Sequence, residues 1–255
     1  MSDITRGGQF LVKETKCEDI FTPEDFTEEQ IMMRDSVKEF VDKEIWPNKD
    51  RFEHKDYAFT EEMMRKAGEM GFLSVAVPEA YGGMGMGFVD TCLVCDYISG
   101  ATGSFSTAFG AHTGIGTMPI TLYGTEEQKL KYVPKLASGE WFGAYCLTEP
   151  GAGSDLAAVA TRAVRDGDDW IVNGQKVWTS GAQNAQLAIL VARTDPSRSK
   201  HAGLSYFICD MTDPGVDVRP LRQITGEAEF NEVFLTDVRI PDANRLGAEG
   251  QGWKV

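Results

Sequence analysis

Residues 163–180, AVRDGDDWIVNGQKVWTS, alternate apolar and polar side chains and carry two turn signals, Asp166-Gly167 and Asn173-Gly174. Period-two alternation suits a half-buried strand, and Asp-Gly and Asn-Gly favour the tight turns that join antiparallel neighbours. The stretch therefore reads as antiparallel β structure with hairpin turns at both dipeptides. Downstream, QLAILVARTD (186–195), LSYFICDM (204–211), VDVRPL (216–221) and NEVFLTDVRI (231–240) continue as short strands between Pro, Gly and Asp clusters. Residues 141–250 are expected to form one compact β domain.

The chain before it has a different period. Thr27-Glu28-Glu29-Gln30 fits a capping box, and Ile31, Val37, Phe40, Val41 and Ile45 then recur at helical spacing up to Pro47, where the helix should stop. A second helix is expected from near Thr60 to Gly71, with Met63, Met64, Ala67 and Met70 on one side. Residues 78–87, PEAYGGMGMG, read as a glycine-rich loop, and Val89 to Ile98 as a buried helix. Thr125-Glu126-Glu127-Gln128 opens another capped helix. The division is thus a polar arm over 1–26, an all-helical domain over 27–140, the β domain over 141–250, and the start of a further helix over 251–255. The fold class is α+β and multi-domain, an all-α unit followed by an antiparallel, barrel-like β domain.

Composition narrows the partners. With 39 acidic against 25 basic side chains the 255-residue chain has a formal charge of -14, which repels nucleic acid and anionic membrane surfaces. A locally basic pocket remains compatible with a phosphorylated small molecule. The five cysteines, Cys17, Cys92, Cys95, Cys146 and Cys209, form an odd and scattered set that fits reduced thiols. Cys92 and Cys95 make a lone CxxC without a second pair, and the histidines are far apart, so no metal site is expected. The start, MSDITRGGQF, lacks the pattern of a signal peptide, and no apolar run reaches membrane-spanning length.

The loop YCLTEPGAGSDLAAV, residues 145–159, holds two hydroxyls, two carboxylates and two close glycines. A dinucleotide fingerprint needs a third glycine where this chain has Leu156, and it should open a helix after a strand. A phosphate cradle is therefore a weak reading, and a polar turn between two elements explains the composition equally well. Glu149 and Asp155 invite a paired-carboxylate mechanism. A role in fixing the loop is the reading preferred here.

Several motifs in order carry a resemblance: YGTEEQKLKYVPKLASGE (123–140), then YCLTEPGAGSD (145–155), NGQKVWTS (173–180) and VFLTDVRIPDANRLGAEGQGWKV (233–255). Together they resemble the acyl-CoA dehydrogenase family over nearly the whole chain after the arm. The resemblance implies an α domain, a central β domain and a C-terminal α bundle, with FAD between the last two, and only the first two lie in this sequence. It implies that Tyr145, Leu147 and Thr148 border the isoalloxazine ring, with Thr148 bonded to it. Trp178 and Thr179 would pack near the ring, and the Ser180 hydroxyl would face flavin N5. Tyr145 and Trp178 also make sense as core aromatics. Ser154 is either a turn residue bonding its own backbone or a contact to the thioester cofactor.

In that family the catalytic glutamate comes from the C-terminal bundle or from the helix expected just past Val255. The resemblance thus implies that this chain holds no catalytic base, binds FAD poorly alone and is inactive by itself. Residues 106–119, STAFGAHTGIGTMP, resemble the helix lining the acyl pocket. Thr107 and Ala111 there are small, which leaves a deeper slot and favours medium-to-long acyl-CoA substrates at roughly 0.8 kcal/mol per buried methylene. Close helix packing is the competing reason for small residues. No arginine in this helix awaits a second carboxylate. The implied partners are electron-transfer flavoprotein and further copies of the chain in a homo-oligomer, in a bacterial cytoplasm or a mitochondrial matrix. Alternatives on the same fold are an acyl-CoA oxidase, a flavin hydroxylase or a non-catalytic acyl-CoA-binding relative.

Overall fold

In the computed structural model, residues 7–255 are described, and residues 1–6 of the arm lie outside them. The helical unit runs through α1 (Glu28–Phe40), α2 (Lys49–Glu53), α3 (Tyr57–Glu69), α4 (Phe88–Ser99), α5 (Gly103–Gly110), α6 (Met118–Tyr123) and α7 (Glu126–Ala137). Both capping boxes form. Thr27 Oγ1 accepts from Gln30 N at 3.2 Å and Thr125 Oγ1 from Gln128 N at 3.2 Å, while each glutamine side chain returns to the cap amide.

Pro47 does not end the first helix as its position suggests. The path continues through a π turn over Val41–Ile45 and a 3-10 turn over Trp46–Asn48 into α2. Proline is tolerated in the first turn of a helical segment, where no N–H is required, and Asn48 Nδ2 donates to the Glu44 carbonyl at 2.8 Å. The next helix begins before Thr60, because Asp56 Oδ1 caps it by accepting from Phe59 N at 3.1 Å. Met63, Met64 and Ala67 are buried as the spacing predicts, but Met70 lies past the helix end and is exposed. Cys95 packs against the core while Cys92 is exposed.

The helical core is built around Phe105, which is fully buried with ring centroids 5.3 Å from Phe52 and 6.2 Å from Phe40. Burying such a side chain contributes about 1.5–3 kcal/mol. It also fixes α5. A second π turn, Ala111–Thr117, follows that helix and meets the β domain so closely that a Cβ on Gly116 would lie 2.9 Å from the Gly143 carbonyl oxygen.

The β domain contains β1 (Gly143–Cys146), β2 (Arg162–Asp166), β3 (Asp169–Ser180), β4 (Leu187–Arg193), β5 (Leu204–Asp210), β6 (Val216–Leu221), β7 (Phe230–Pro241) and β8 (Arg245–Leu246). They form one mostly antiparallel sheet in the order β6-β7-β3-β2-β4-β5-β8, with β1 added in parallel to β4. The path is open, and its two halves meet at one parallel pair, Arg162 with Arg193. The sheet wraps on itself, since Trp170 of β3 packs edge-on against Phe207 of β5 with centroids 5.5 Å apart.

Asp166-Gly167 makes the expected hairpin between β2 and β3. Asn173-Gly174 does not. It lies inside β3 at a register shift against β7, where Asn173 Nδ2 donates to Asp237 Oδ1 at 3.0 Å and Asp237 N donates back to Asn173 Oδ1 at 2.9 Å. Glycine is required there for proximity, because a Cβ would come within 2.4 Å of Thr161 Oγ1. The stretch 251–255 holds a single 3-10 turn, Gly252–Lys254. No helix among the described residues is long and apolar enough to cross a membrane, and no cluster of three metal-ligating side chains occurs among them.

His112 joins the two units. Its Nε2 donates to the Leu136 carbonyl at 2.8 Å and its Nδ1 accepts from Gly143 N at 3.3 Å, so the ring is neutral with the proton on Nε2. Burial pulls its pKa down from 6.5 to about 4, against the pull of the Leu136 hydrogen bond. The unfolded chain therefore takes up this proton first as pH falls. The contribution is complete above the unfolded value and is lost from there down through the folded one, about 3 kcal/mol in all. Denaturant titrations between pH 7 and pH 4 should show a steeper loss of stability in the native sequence than in His112→Gln.

Candidate active site

The loop between β1 and β2 is shaped by a buried ion pair. Lys176 of β3 is 0% exposed and Glu149 7%, with Nζ and Oε1 2.8 Å apart. Lys176 Nζ also donates to the Leu147 carbonyl at 3.0 Å, and the Glu149 carboxylate accepts from the amides of Ala160 at 2.6 Å and Thr161 at 2.9 Å. Burial opposes the Glu149 charge, yet the Lys176 charge and hydrogen bond and the Ala160 amide outweigh it and hold the carboxyl below its usual value. Burial lowers the pKa of Lys176, with Glu149 opposing.

The far end of the loop is clamped by Arg193, which donates to the carbonyls of Ala157 at 2.6 Å and Val159 at 3.0 Å. Glu149 thus fixes the loop. Asp155 does not share its site but pairs with Lys200 at the surface, 2.6 Å away. No carboxylate dyad forms.

Lys176 sits next to a second register shift in β3, between Lys176 and Thr179. Trp178 occupies it with φ 63, a left-handed conformation that costs a side-chain-bearing residue roughly 1–2 kcal/mol. The bulge turns the indole outward, 52% exposed, with its edge against Phe230 at 5.6 Å. Strain of this kind collects at functional sites. The Val177 amide donates to the Thr148 carbonyl at 2.8 Å, which ties Thr148 to the residue before Trp178, and neither Thr148 nor Ser180 is buried. The Thr179 side chain is buried without an oxygen or nitrogen partner, and its carbonyl accepts from Asn231 Nδ2 at 3.0 Å. An exposed aromatic face flanked by accessible hydroxyls fits a flat, heteroatom-rich ring.

Thr107, Ala111 and Ser180 line one cavity of about 420 Å³ between the helical unit and the β domain. The Thr107 hydroxyl donates to the Gly103 carbonyl at 2.7 Å, so it is already satisfied within α5. His112, Lys55 and Glu229 line the same cavity, and sequence reasoning missed them. Lys55 and Glu229 are 174 positions apart, and no local pattern marks either. Tyr145 and Leu147 lie instead on a separate cavity of about 190 Å³ with Tyr206 and Trp253. The Tyr145 and Tyr206 hydroxyls are 2.6 Å apart and their rings stack at 14°. Ser154 is exposed and lines neither cavity.

Both units have counterparts among known proteins. Residues 27–140 match the family description "Acyl-CoA dehydrogenase, N-terminal domain" and residues 144–238 match "Acyl-CoA dehydrogenase, middle domain". The chain belongs to the acyl-CoA dehydrogenase family. It is 36% identical over 98% of its length to a probable acyl-CoA dehydrogenase of Bacillus subtilis (strain 168), of which it covers 42%. It is 35% identical over 88% of its length to a glutaryl-CoA dehydrogenase of Desulfococcus multivorans, covering 58% of that protein. A crystal structure of acyl-CoA dehydrogenase complexed with FAD from Bacillus anthracis superposes with a TM-score of 0.87 at 36% identity, over 97% of this chain and 42% of that one. The chain spans less than two thirds of the length of these relatives.

Removing one member of a buried ion pair leaves the other charge stranded, at about 3–5 kcal/mol. Lys176→Met should lower the unfolding free energy by that amount. Glu149→Gln added to it should recover part, since the stranded charge is gone and the one amide oxygen still accepts from Ala160 or Thr161, while the other amide loses its acceptor. Equilibrium denaturation of the single and double variants measures both.

Proposed function

We propose that the chain supplies the helical and β-domain walls of an FAD-dependent dehydrogenase that introduces an α,β double bond into medium-to-long acyl-CoA thioesters. The observation that carries this reading is the strained, outward-turned Trp178 packed on Phe230, which with Ser180, Thr107 and Ala111 lines the larger cavity. When bound, the flavin supplies the hydride acceptor for the β carbon. The indole of Trp178 would give its ring an apolar face, and the Thr148 hydroxyl would offer a hydrogen bond along its edge. Ser180, which lines the cavity, would offer its hydroxyl to the reacting edge of the ring. Preorganised donors of this kind stabilise the negative charge gained on reduction.

The acyl group lies between α5 and the end of β3. Thr107 and Ala111 leave room for its chain, and the apolar walls Phe142, Phe230 and Met64 exclude water from it. Ser154 lies on the exposed loop where the thioester cofactor would run over the surface, held there by Glu149 and Arg193. Tyr145, bonded to Tyr206, lines the smaller cavity and is not part of the acyl pocket. Proton abstraction falls to a carboxylate other than those described at this site, and electrons pass to electron-transfer flavoprotein from an assembly of several copies, in a bacterial cytoplasm or a mitochondrial matrix.

Two measurements test this. Titration of FAD into the protein, followed by quenching of flavin fluorescence, should show about three- to tenfold weaker binding in Trp178→Ala, the range expected for losing one aromatic contact. Unchanged affinity removes Trp178 from the ring site. Anaerobic addition of an acyl-CoA to the full-length, flavin-loaded protein should bleach the visible flavin absorbance. Rapid recovery of colour in air, without electron-transfer flavoprotein, would assign the protein to the oxidases instead.

A further inference from the structure

The lining of the larger cavity carries charge for which the dehydrogenation chemistry has no use. Lys55, in the turn between α2 and α3, forms a hydrogen-bonded ion pair with Glu229, which immediately precedes β7. Both line the cavity, and both side chains are only partly covered, at 23% and 43% exposure, so the pair stands at its edge and ties the helical unit to the β domain. Lys55 holds φ 60, an unfavourable conformation for a residue with a Cβ. The turn is kept there by the Arg51–Asp56 bridge at 2.7 Å and by Asp56 capping α3. Glu229 is steadied by Gln223 Nε2 at 3.3 Å. The third ionised lining group is Glu61, which Arg65 meets at 3.2 Å from outside the cavity. Lys55 is the only lysine or arginine among the lining residues.

We propose that Lys55 and Glu229 together set the selectivity of this cavity, admitting acyl groups with an uncharged end and rejecting those that end in a second carboxylate. The proposal rests on the acyl-pocket reading given above. A terminal carboxylate that leaves bulk water for this cavity needs a counter-charge. Lys55 is the only candidate, and Glu229 already holds it. The incoming group must either displace Glu229 from its lysine or remain unpaired beside Glu229 and Glu61. A methyl end meets neither difficulty, so discrimination arises from a built-in repulsion. No arginine on α5 or its π turn offers a second place for such a charge.

Calorimetric titration of the protein, in the presence of FAD, with octanoyl-CoA and with the same thioester bearing a terminal carboxylate tests this. The native sequence should bind octanoyl-CoA more tightly by about tenfold or more, the scale of one charged hydrogen bond. Glu229→Gln frees Lys55 and should narrow that ratio by about tenfold, whereas Lys55→Gln leaves Glu229 unpaired and should widen it. Opposite shifts cannot come from a general loosening of the cavity. Equal affinity for the two thioesters in the native protein, or a ratio unmoved by Glu229→Gln, overturns the charge filter and leaves the acyl pocket standing. Failure to bind either thioester overturns the pocket reading and the filter together.

Discussion

The architecture of the site depends on one buried charge pair. Lys176 reaches from β3 beneath the loop that follows β1, and Glu149 returns from that loop to meet it. Each charge would be prohibitively costly alone, and each is satisfied only while the loop is closed over the strand. The pair therefore converts a glycine-containing loop into a defined surface. Ala160 and Thr161 are drawn in by the Glu149 carboxylate, and Arg193 completes the clamp where the two halves of the sheet meet.

That clamp lies next to the bulge at Trp178. A strand held at Lys176 from one side and paired with β7 again at Thr179 has one residue too many between the two anchor points. The extra residue takes the left-handed conformation and its ring is pushed outward. The strain is sustained because the buried pair and the ladder both enforce it. An exposed indole and an unburied Ser180 are the result, positioned by the sheet and not by their own preferences.

The helical unit contributes by precision of contact. Phe105 fixes α5, the π turn after it brings Gly116 against Gly143, and His112 spans the same junction with both ring nitrogens. Gln128 adds a further tie, donating from α7 to the carbonyls of Ala243 at 2.7 Å and Arg245 at 2.9 Å. The larger cavity is bounded by residues from both units, so its shape follows from these junctions.

Much of this was legible in the sequence. Two capping boxes marked α1 and α7, helical spacing identified Met63, Met64 and Ala67 as core, and alternation after residue 163 announced the change to β structure, because these signals come from local chemistry and a fixed period. The loop motif marked Glu149 and Asp155 as structural carboxylates, of which Glu149 anchors the loop from within and Asp155 pairs with Lys200 at the surface, and the family resemblance named Thr107, Ala111 and Ser180 as site candidates. Asn173-Gly174 misled, since the dipeptide that favours a hairpin also suits a bulge, and only the approach of Thr161 and the pairing with Asp237 decide between them. Tertiary structure alone placed Lys176 under Glu149, left-handed strain at Trp178, the Tyr145–Tyr206 stack and the Lys55–Glu229 pair. Each joins residues distant in sequence, and burial, which sets their energies, is a property of the assembled fold and not of any segment.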